Sequence, residues 1–196
     1  MPPIKIVSFG TSLSANGGWQ KALQAQLSAC LHRPVEIETV ALAGSTTEWG
    51  LTQLDRVAAA RPDIVLIEFY ANDAALNRWI SVAGSKATVS ALLDGLRARL
   101  PQARLVFMGM NPMFGMRGMI RPFLASYVEA HREVALEKGL EFIDHGPNWA
   151  KLDEEQLSQD IPDGLHPTPE KAAEIMVPEL TRQLSQGHCA TPVPNP

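Results

Sequence analysis

The chain has 196 residues, 45% of them apolar, and a formal net charge of −4 from 17 basic and 21 acidic side chains. A chain of this length is expected to form one compact domain that buries roughly 70% of its unfolded surface. Interspersed charges without a Lys/Arg cluster exclude a nucleic-acid surface or an anionic-membrane patch, and no apolar run approaches the roughly 20 residues of a membrane span, so a small molecule is the expected partner.

The N-terminal MPPIKIVSFG runs straight into a strand pattern, with no charged n-region, long apolar stretch or small-residue cleavage site. As it stands the chain is therefore expected in the cytoplasm, or in the periplasm or outside the cell if a leader has been trimmed. Short β-rich apolar runs at Ile4–Phe9, Val35–Val40, Ile64–Phe69, Leu105–Met108 and Leu140–Ile143 read as five strands. Helical spacing occupies Trp19–Cys30, Trp49–Ala60, Val89–Leu100, Ile120–Lys138 and Pro169–Leu184. The run IVLIEF at 64–69 is apolar nearly throughout, as expected of a parallel strand covered on both faces. This alternation predicts an α/β fold, a three-layer α/β/α sandwich over residues 1–185 around a five-stranded parallel sheet. A polar, Pro-rich tail over 186–196 is expected to fray.

In open sheets of this kind a ligand lies beyond the carboxyl ends of the strands, so the loops at 10–17, 41–47, 70–79, 109–118 and 145–168 should build the site. The first holds Gly10-Thr11-Ser12-Leu13-Ser14, a small hydroxyl residue in the turn where a nucleophile belongs; taken alone, Ser12 or Ser14 would read as a helix cap. The second, Ala41 to Thr47, contains Gly44, where backbone can approach a ligand closely. The third, Tyr70-Ala71-Asn72-Asp73, offers an Asn amide, while Asp73 is expected to hold its loop through backbone N–H groups. The last contains Asp163-Gly164-Leu165-His166-Pro167, whose spacing lets a carboxylate bind one imidazole nitrogen and leave the other as a general base.

Taken in order, these four blocks resemble the SGNH hydrolases, the GDSL family of esterases and lipases. The Gly-Asp-Ser-Leu motif matches Gly10 to Leu13, the block-two glycine matches Gly44, Gly-x-Asn-Asp matches Tyr70 to Asp73, and Asp-x-x-His matches Asp163 to His166. The resemblance implies a flavodoxin-like fold and a serine esterase with Ser12 as nucleophile, His166 as base and Asp163 orienting it. The oxyanion would be received by the backbone N–H groups of Ser12 and Gly44 and by the Asn72 amide. No metal or organic cofactor is required, and the substrate would be a small ester or an acetylated carbohydrate. A non-catalytic ligand-binding module on the same frame is the alternative from another class. Two departures stand out: Thr11 replaces the family's Asp, and Tyr70 replaces a glycine, where its ring is expected to line or narrow the pocket.

The remaining residues divide as follows. Met108 to Met119 holds five of the seven methionines, and Met113 and Phe114 are expected to form an apolar wall for the acyl group, or else to fill a strand–helix joint. Arg117 and Arg121 are candidates for a bound carboxylate or for solvated side chains. Trp49 and Trp79 are candidates for stacking on a sugar. His145, beside Asp144, is expected to play no relay part, because adjacent residues of an extended segment point to opposite faces. His32, His131 and His188 are expected at the surface. Cys30 and Cys189 match no metal-ligand spacing and read as free thiols, with a single disulfide as the alternative.

Overall fold

The computed structural model describes residues 1–189. Five strands, β1 (Ile4–Gly10), β2 (Val35–Ala41), β3 (Ile64–Glu68), β4 (Arg104–Gly109) and β5 (Glu141–Asp144), form one parallel sheet in the order β2-β1-β3-β4-β5. All seven residues of β1 and of β2 pair in register, from Ile4 with Val35 to Gly10 with Ala41. Central β3 is buried at every position, whereas edge strand β2 alternates between covered and open residues, as expected from the layers that flank them.

The chain leaves β1 in one direction to make β2, then crosses back over β1 to make β3, β4 and β5. Right-handed crossovers in opposite directions place their helices on opposite faces. Helices α1 (Trp19–Leu31) and α4 (Pro169–Leu184) accordingly pack together on one face. Helices α2 (Val82–Arg99) and α3 (Leu124–Glu137) pack together on the other, joined by two short helices at Thr47–Thr52 and Leu54–Ala59. The three-layer sandwich expected from the alternating pattern is the fold observed. No helix of the described residues is long and apolar enough to cross a membrane. The reversal of direction between β1 and β3 creates a crevice at their carboxyl ends, the position where open α/β sheets bind ligands.

Several boundaries differ from the sequence reading. The helix expected over Trp49–Ala60 breaks at Gln53, where φ is −103° and ψ is 1°. Just before the break, Thr52 Oγ1 donates to Trp49 O at 2.7 Å, a local bond that competes with helix continuation. Helix α2 starts already at Val82, capped by Ser81 Oγ, which accepts from Gly84 N at 3.0 Å. Helix α3 starts at Leu124 rather than Ile120, because Pro122 disfavours helical geometry in Arg121 before it.

The free-thiol reading of the cysteines is overturned: Cys30, at the end of α1, and Cys189, beyond α4, form a disulfide across 159 residues of sequence with Cα atoms 5.9 Å apart. The packing of α1 on α4 brings the two together, which spacing along the chain does not reveal. The tail read as fraying after Ser185 is thus tied down at Cys189, with Cys189 N also donating to Ser185 Oγ at 3.0 Å. The rest of that expectation, residues 190–196, lies outside the described residues. His131 is also corrected, from surface to fully buried. Its Nε2 lies 2.6 Å from Ser85 Oγ, which donates to Asp73 Oδ2 at 2.6 Å, and burial pushes its pKa down to about 3, so the ring is a neutral strut between α3 and α2.

Candidate active site

β1 ends at Gly10, and Ser12 opens a one-turn helix, Ser12–Ala15, capped by Thr11, whose Oγ1 accepts from Leu13 N. As the first helical residue, Ser12 has no intrahelical acceptor for its own N–H. Beneath the turn lies the fully buried carboxyl of Glu68, from the end of β3. It accepts from Thr11 N at 2.6 Å, Thr11 Oγ1 at 2.9 Å and Ser14 Oγ at 2.8 Å. Gly10 has to be glycine here because any Cβ would collide with the Glu68 carboxyl. Burial pushes the Glu68 pKa up to about 7, against the opposing pull of the Thr11 and Ser14 bonds. Glu68 is the one acid in IVLIEF, a run that reads as apolar nearly throughout, and that single acid is the signal in the sequence for a polar partner at the end of β3.

The last loop reaches the same edge. Ser12 Oγ lies 2.7 Å from His166 Nε2, and His166 Nδ1 lies 2.7 Å from Asp163 Oδ2. Asp163 Oδ1 also accepts from His166 N at 2.7 Å and Leu165 N at 2.9 Å, so the carboxylate closes its own loop. Burial pushes the Asp163 carboxyl up, but these bonds together outweigh it and hold the pKa at about 2. Gly164, at φ +75°, lets the chain turn beneath Phe114. Phe114 N donates to Gly164 O at 3.0 Å, and Asn111 Nδ2 donates to Leu165 O at 2.8 Å. The segment after β4 therefore clamps the Asp163–His166 loop.

Gly44 and Asn72 close the site. Gly44 adopts φ +78°, a conformation that favours glycine, and its carbonyl accepts from Arg78 Nη2 at 2.8 Å. Asn72 sits in the one-turn helix Tyr70–Asp73, with Nδ2 donating to Ser45 O at 2.9 Å and Oδ1 accepting from Arg121 Nη2 at 3.3 Å. With one amide hydrogen engaged and the oxygen engaged, the second N–H remains for the cleft that Asn72 lines together with Ser12, Gly44 and His166. Asp73 holds the neighbouring loop, accepting from Thr47 N at 3.0 Å and Thr47 Oγ1 at 2.6 Å.

This cleft has a volume of about 370 Å³, and Arg78, Arg117 and Arg121 line it beside the four residues just named. The structure does not bring Tyr70, Met113 or Phe114 to that lining. Tyr70 is buried, its hydroxyl accepts from Met110 N at 2.6 Å, and it lines a separate apolar cavity of about 500 Å³ with Met110, Leu124 and Trp149. Met113 packs against the core and Phe114 faces another hollow with Leu157. The physical reason is the clamp: backbone pairing with Gly164 directs the segment at the His166 loop, not at the Ser12 hydroxyl. Trp49 is also turned inward, its ring 6.4 Å from that of Phe9 and 6.3 Å from that of Phe69. Trp79, by contrast, is 92% exposed, on the segment whose Asn77 lines the cleft. His145 is fully buried, away from the cleft, and burial pushes its pKa down to about 4.

A hydroxyl, an imidazole and a carboxylate in one hydrogen-bonded chain can activate the hydroxyl as a nucleophile, and an amide N–H such as that of Asn72 in the same cleft can receive negative charge on an attacked carbonyl. The profile of the GDSL-like lipase/acylhydrolase family matches residues 7–172. No curated protein matches the chain. Among solved structures, the lipase/acylhydrolase from Enterococcus faecalis superposes with a TM-score of 0.74 at 24% identity, over 91% of this chain and 96% of that one. Axe2, an acetylxylan esterase from Geobacillus stearothermophilus, gives 0.77 at 16% identity over 92% and 93%. LAE5, an alpha/beta hydrolase enzyme from the metagenome of Lake Arreo in Spain, gives 0.77 at 16% identity over 95% and 96%. At these identities the likeness is one of fold.

Proposed function

The chain belongs to the GDSL-like lipase/acylhydrolase family, and on that premise we propose that it is a serine esterase that hydrolyses short-chain carboxylic esters through an acyl-enzyme on Ser12. The observation that carries this reading is the continuous chain from Ser12 Oγ through His166 to Asp163, each link 2.7 Å, beside the Asn72 amide. His166 takes the Ser12 proton as Oγ attacks the ester carbonyl, then returns it to the departing alcohol; water repeats the cycle on the acyl-enzyme. Asp163 fixes the ring and stabilises the imidazolium. The N–H groups of Ser12, Gly44 and Asn72 receive the oxyanion. A fluorophosphonate label on Ser12, absent in Ser12→Ala along with ester turnover, tests the assignment. Full activity in that variant refutes it, while Ser14→Ala should keep most of the rate because Ser14 Oγ is turned down onto Glu68.

The cleft volume and its arginine-lined wall support short acyl groups, since each further CH₂ gains about 0.8 kcal/mol only where an apolar cavity receives it. A rise in kcat/KM from acetyl towards octanoyl esters would contradict this. A second reading, a carbohydrate O-acetylesterase, is favoured by Trp79. Its exposed ring lines a hollow that shares Asn77 with the cleft, and an exposed aromatic face is suited to stacking on a sugar. Trp79→Ala should then raise KM for an acetylated xylo-oligosaccharide far more than for nitrophenyl acetate.

A further inference from the structure

We propose that the cleft beside Ser12 takes esters bearing an anionic group, a carboxylate or phosphate, held by Arg78, Arg117 and Arg121. The inference names the substrate class of the esterase reading above and rests on it.

Arg121 is the anchor. It is 5% exposed, and its guanidinium is held by neutral acceptors: Nε donates to Ala71 O at 2.5 Å, Nη1 to Arg117 O at 2.9 Å and Nη2 to Asn72 Oδ1 at 3.3 Å. Three of its five N–H groups are thereby used, and among the described residues no carboxylate is paired with it. Arg78 spends one N–H on Gly44 O and likewise has no carboxylate partner among the described residues. Arg117 Nη2 stands 3.7 Å from Asp163 Oδ2, beyond hydrogen-bonding distance, and that carboxylate is already occupied by His166 and Leu165.

Three arginines therefore line the cleft, and Asp163, the carboxylate beside Arg117, is committed elsewhere. Burial, and then the charges of Arg117 and Arg78, lower the pKa of Arg121, so its neighbours on this side work against its charge. Arg121 is buried while Arg78 and Arg117 are exposed at the rim, so the opposition of like charges falls mainly on Arg121, and natural chains tolerate such conflicts mainly at functional sites. A neutral ester would relieve none of this. A carboxylate or phosphate would, because guanidinium groups present paired N–H donors that match both anions. The cleft residues place this charge beside the reacting carbonyl without giving it a part in bond making.

The test compares two matched pairs of esters by pH-stat: 4-acetoxybutyrate against butyl acetate, with the charge on the alcohol side, and monomethyl succinate against methyl butyrate, with the charge on the acyl side. At low ionic strength the anionic member of at least one pair should exceed its neutral partner by at least about tenfold in kcat/KM, the usual worth of a hydrogen bond to a charged group. The pair that shows it identifies which side of the ester bears the charge. In Arg117→Gln that ratio should fall towards one. Ratios near one in both pairs of the wild type overturn the proposal, as does an equal loss for both members in the variant, which is what a merely structural role would give. Absence of turnover for all four esters, with no label on Ser12, is instead the failure of the esterase reading. In that event calorimetric binding of 4-acetoxybutyrate decides: binding that weakens in Arg117→Gln supports the anion site, and no binding overturns it.

Discussion

Arg121 Nη2 donates to Asn72 Oδ1 at 3.3 Å while Asn72 Nδ2 donates to Ser45 O at 2.9 Å, so the orientation of the Asn72 amide is fixed from both ends. Pinned in this way, the free N–H costs no reorganisation when charge develops on a carbonyl oxygen in the cleft. Asn72→Ala should therefore lower kcat by roughly 10² to 10³ with little change in KM. Arg121→Met should move kcat in the same direction, since the amide loses its fixed orientation. Steady-state kinetics on nitrophenyl acetate check both, and an effect confined to KM would show that Asn72 binds substrate without stabilising the oxyanion.

Asp163→Asn should impair turnover by as much as about 10⁴, because the amide no longer holds the productive tautomer of His166. With its pKa held at about 2, Asp163 stays ionised throughout the neutral range, and its own titration should not appear in the activity profile above pH 4. His145→Gln should leave the rate nearly unchanged, as that ring is buried away from the cleft. Reversed outcomes for the two variants would overturn the assignment of Asp163 and His166 as acid and base.

Glu68 predicts a pH dependence of stability. Its pKa is raised in the folded chain from 4.5 to about 7, so the folded state holds a proton that the unfolded state has released. The stabilisation is fully present below pH 4.5 and is lost as pH rises through about 7, on the order of 3 kcal/mol for such a shift. In Glu68→Gln the amide can accept from Thr11 N and Ser14 Oγ and donate to Thr11 Oγ1 without titrating. Urea unfolding at pH 5 and pH 8 should show a smaller loss in Glu68→Gln than in the wild type; equal losses would place the titrating group elsewhere.

Replacing both Cys30 and Cys189 by Ser should lower stability by about 2–4 kcal/mol, the usual contribution of a disulfide that closes a long loop. Catalytic constants should be unaltered. Helices α1 and α4 run against the strands, so the bond at their far ends lies at the edge of the sheet opposite the cleft. Thermal unfolding with and without reductant, followed by assay of the folded protein, measures both effects.

The sequence alone determined the layer architecture and four of the residues that meet at the cleft, Ser12, Gly44, Asn72 and His166. Strand and helix periods are local properties, and the segments Gly10 to Leu13, Gly44, Asn72 and Asp163 to His166 each follow a strand in chain order. Parallel strands then necessarily deliver them to one edge. What only the tertiary structure decided depends on contacts between distant segments. Glu68 lies under Ser12 because β1 and β3 are neighbours, although 57 positions separate it from Thr11. Cys30 meets Cys189 because α1 packs on α4. Arg78, Arg117 and Arg121 show no cluster along the chain and yet line one cleft, because Leu76 N pairs with Ile120 O at 2.9 Å and draws their two segments together. Tyr70, Met113 and Phe114 were placed at the cleft by their position in the chain, but side-chain direction is set by packing. Backbone pairing between Phe114 and Gly164, and the hydroxyl of Tyr70 on Met110 N, turned them away from Ser12.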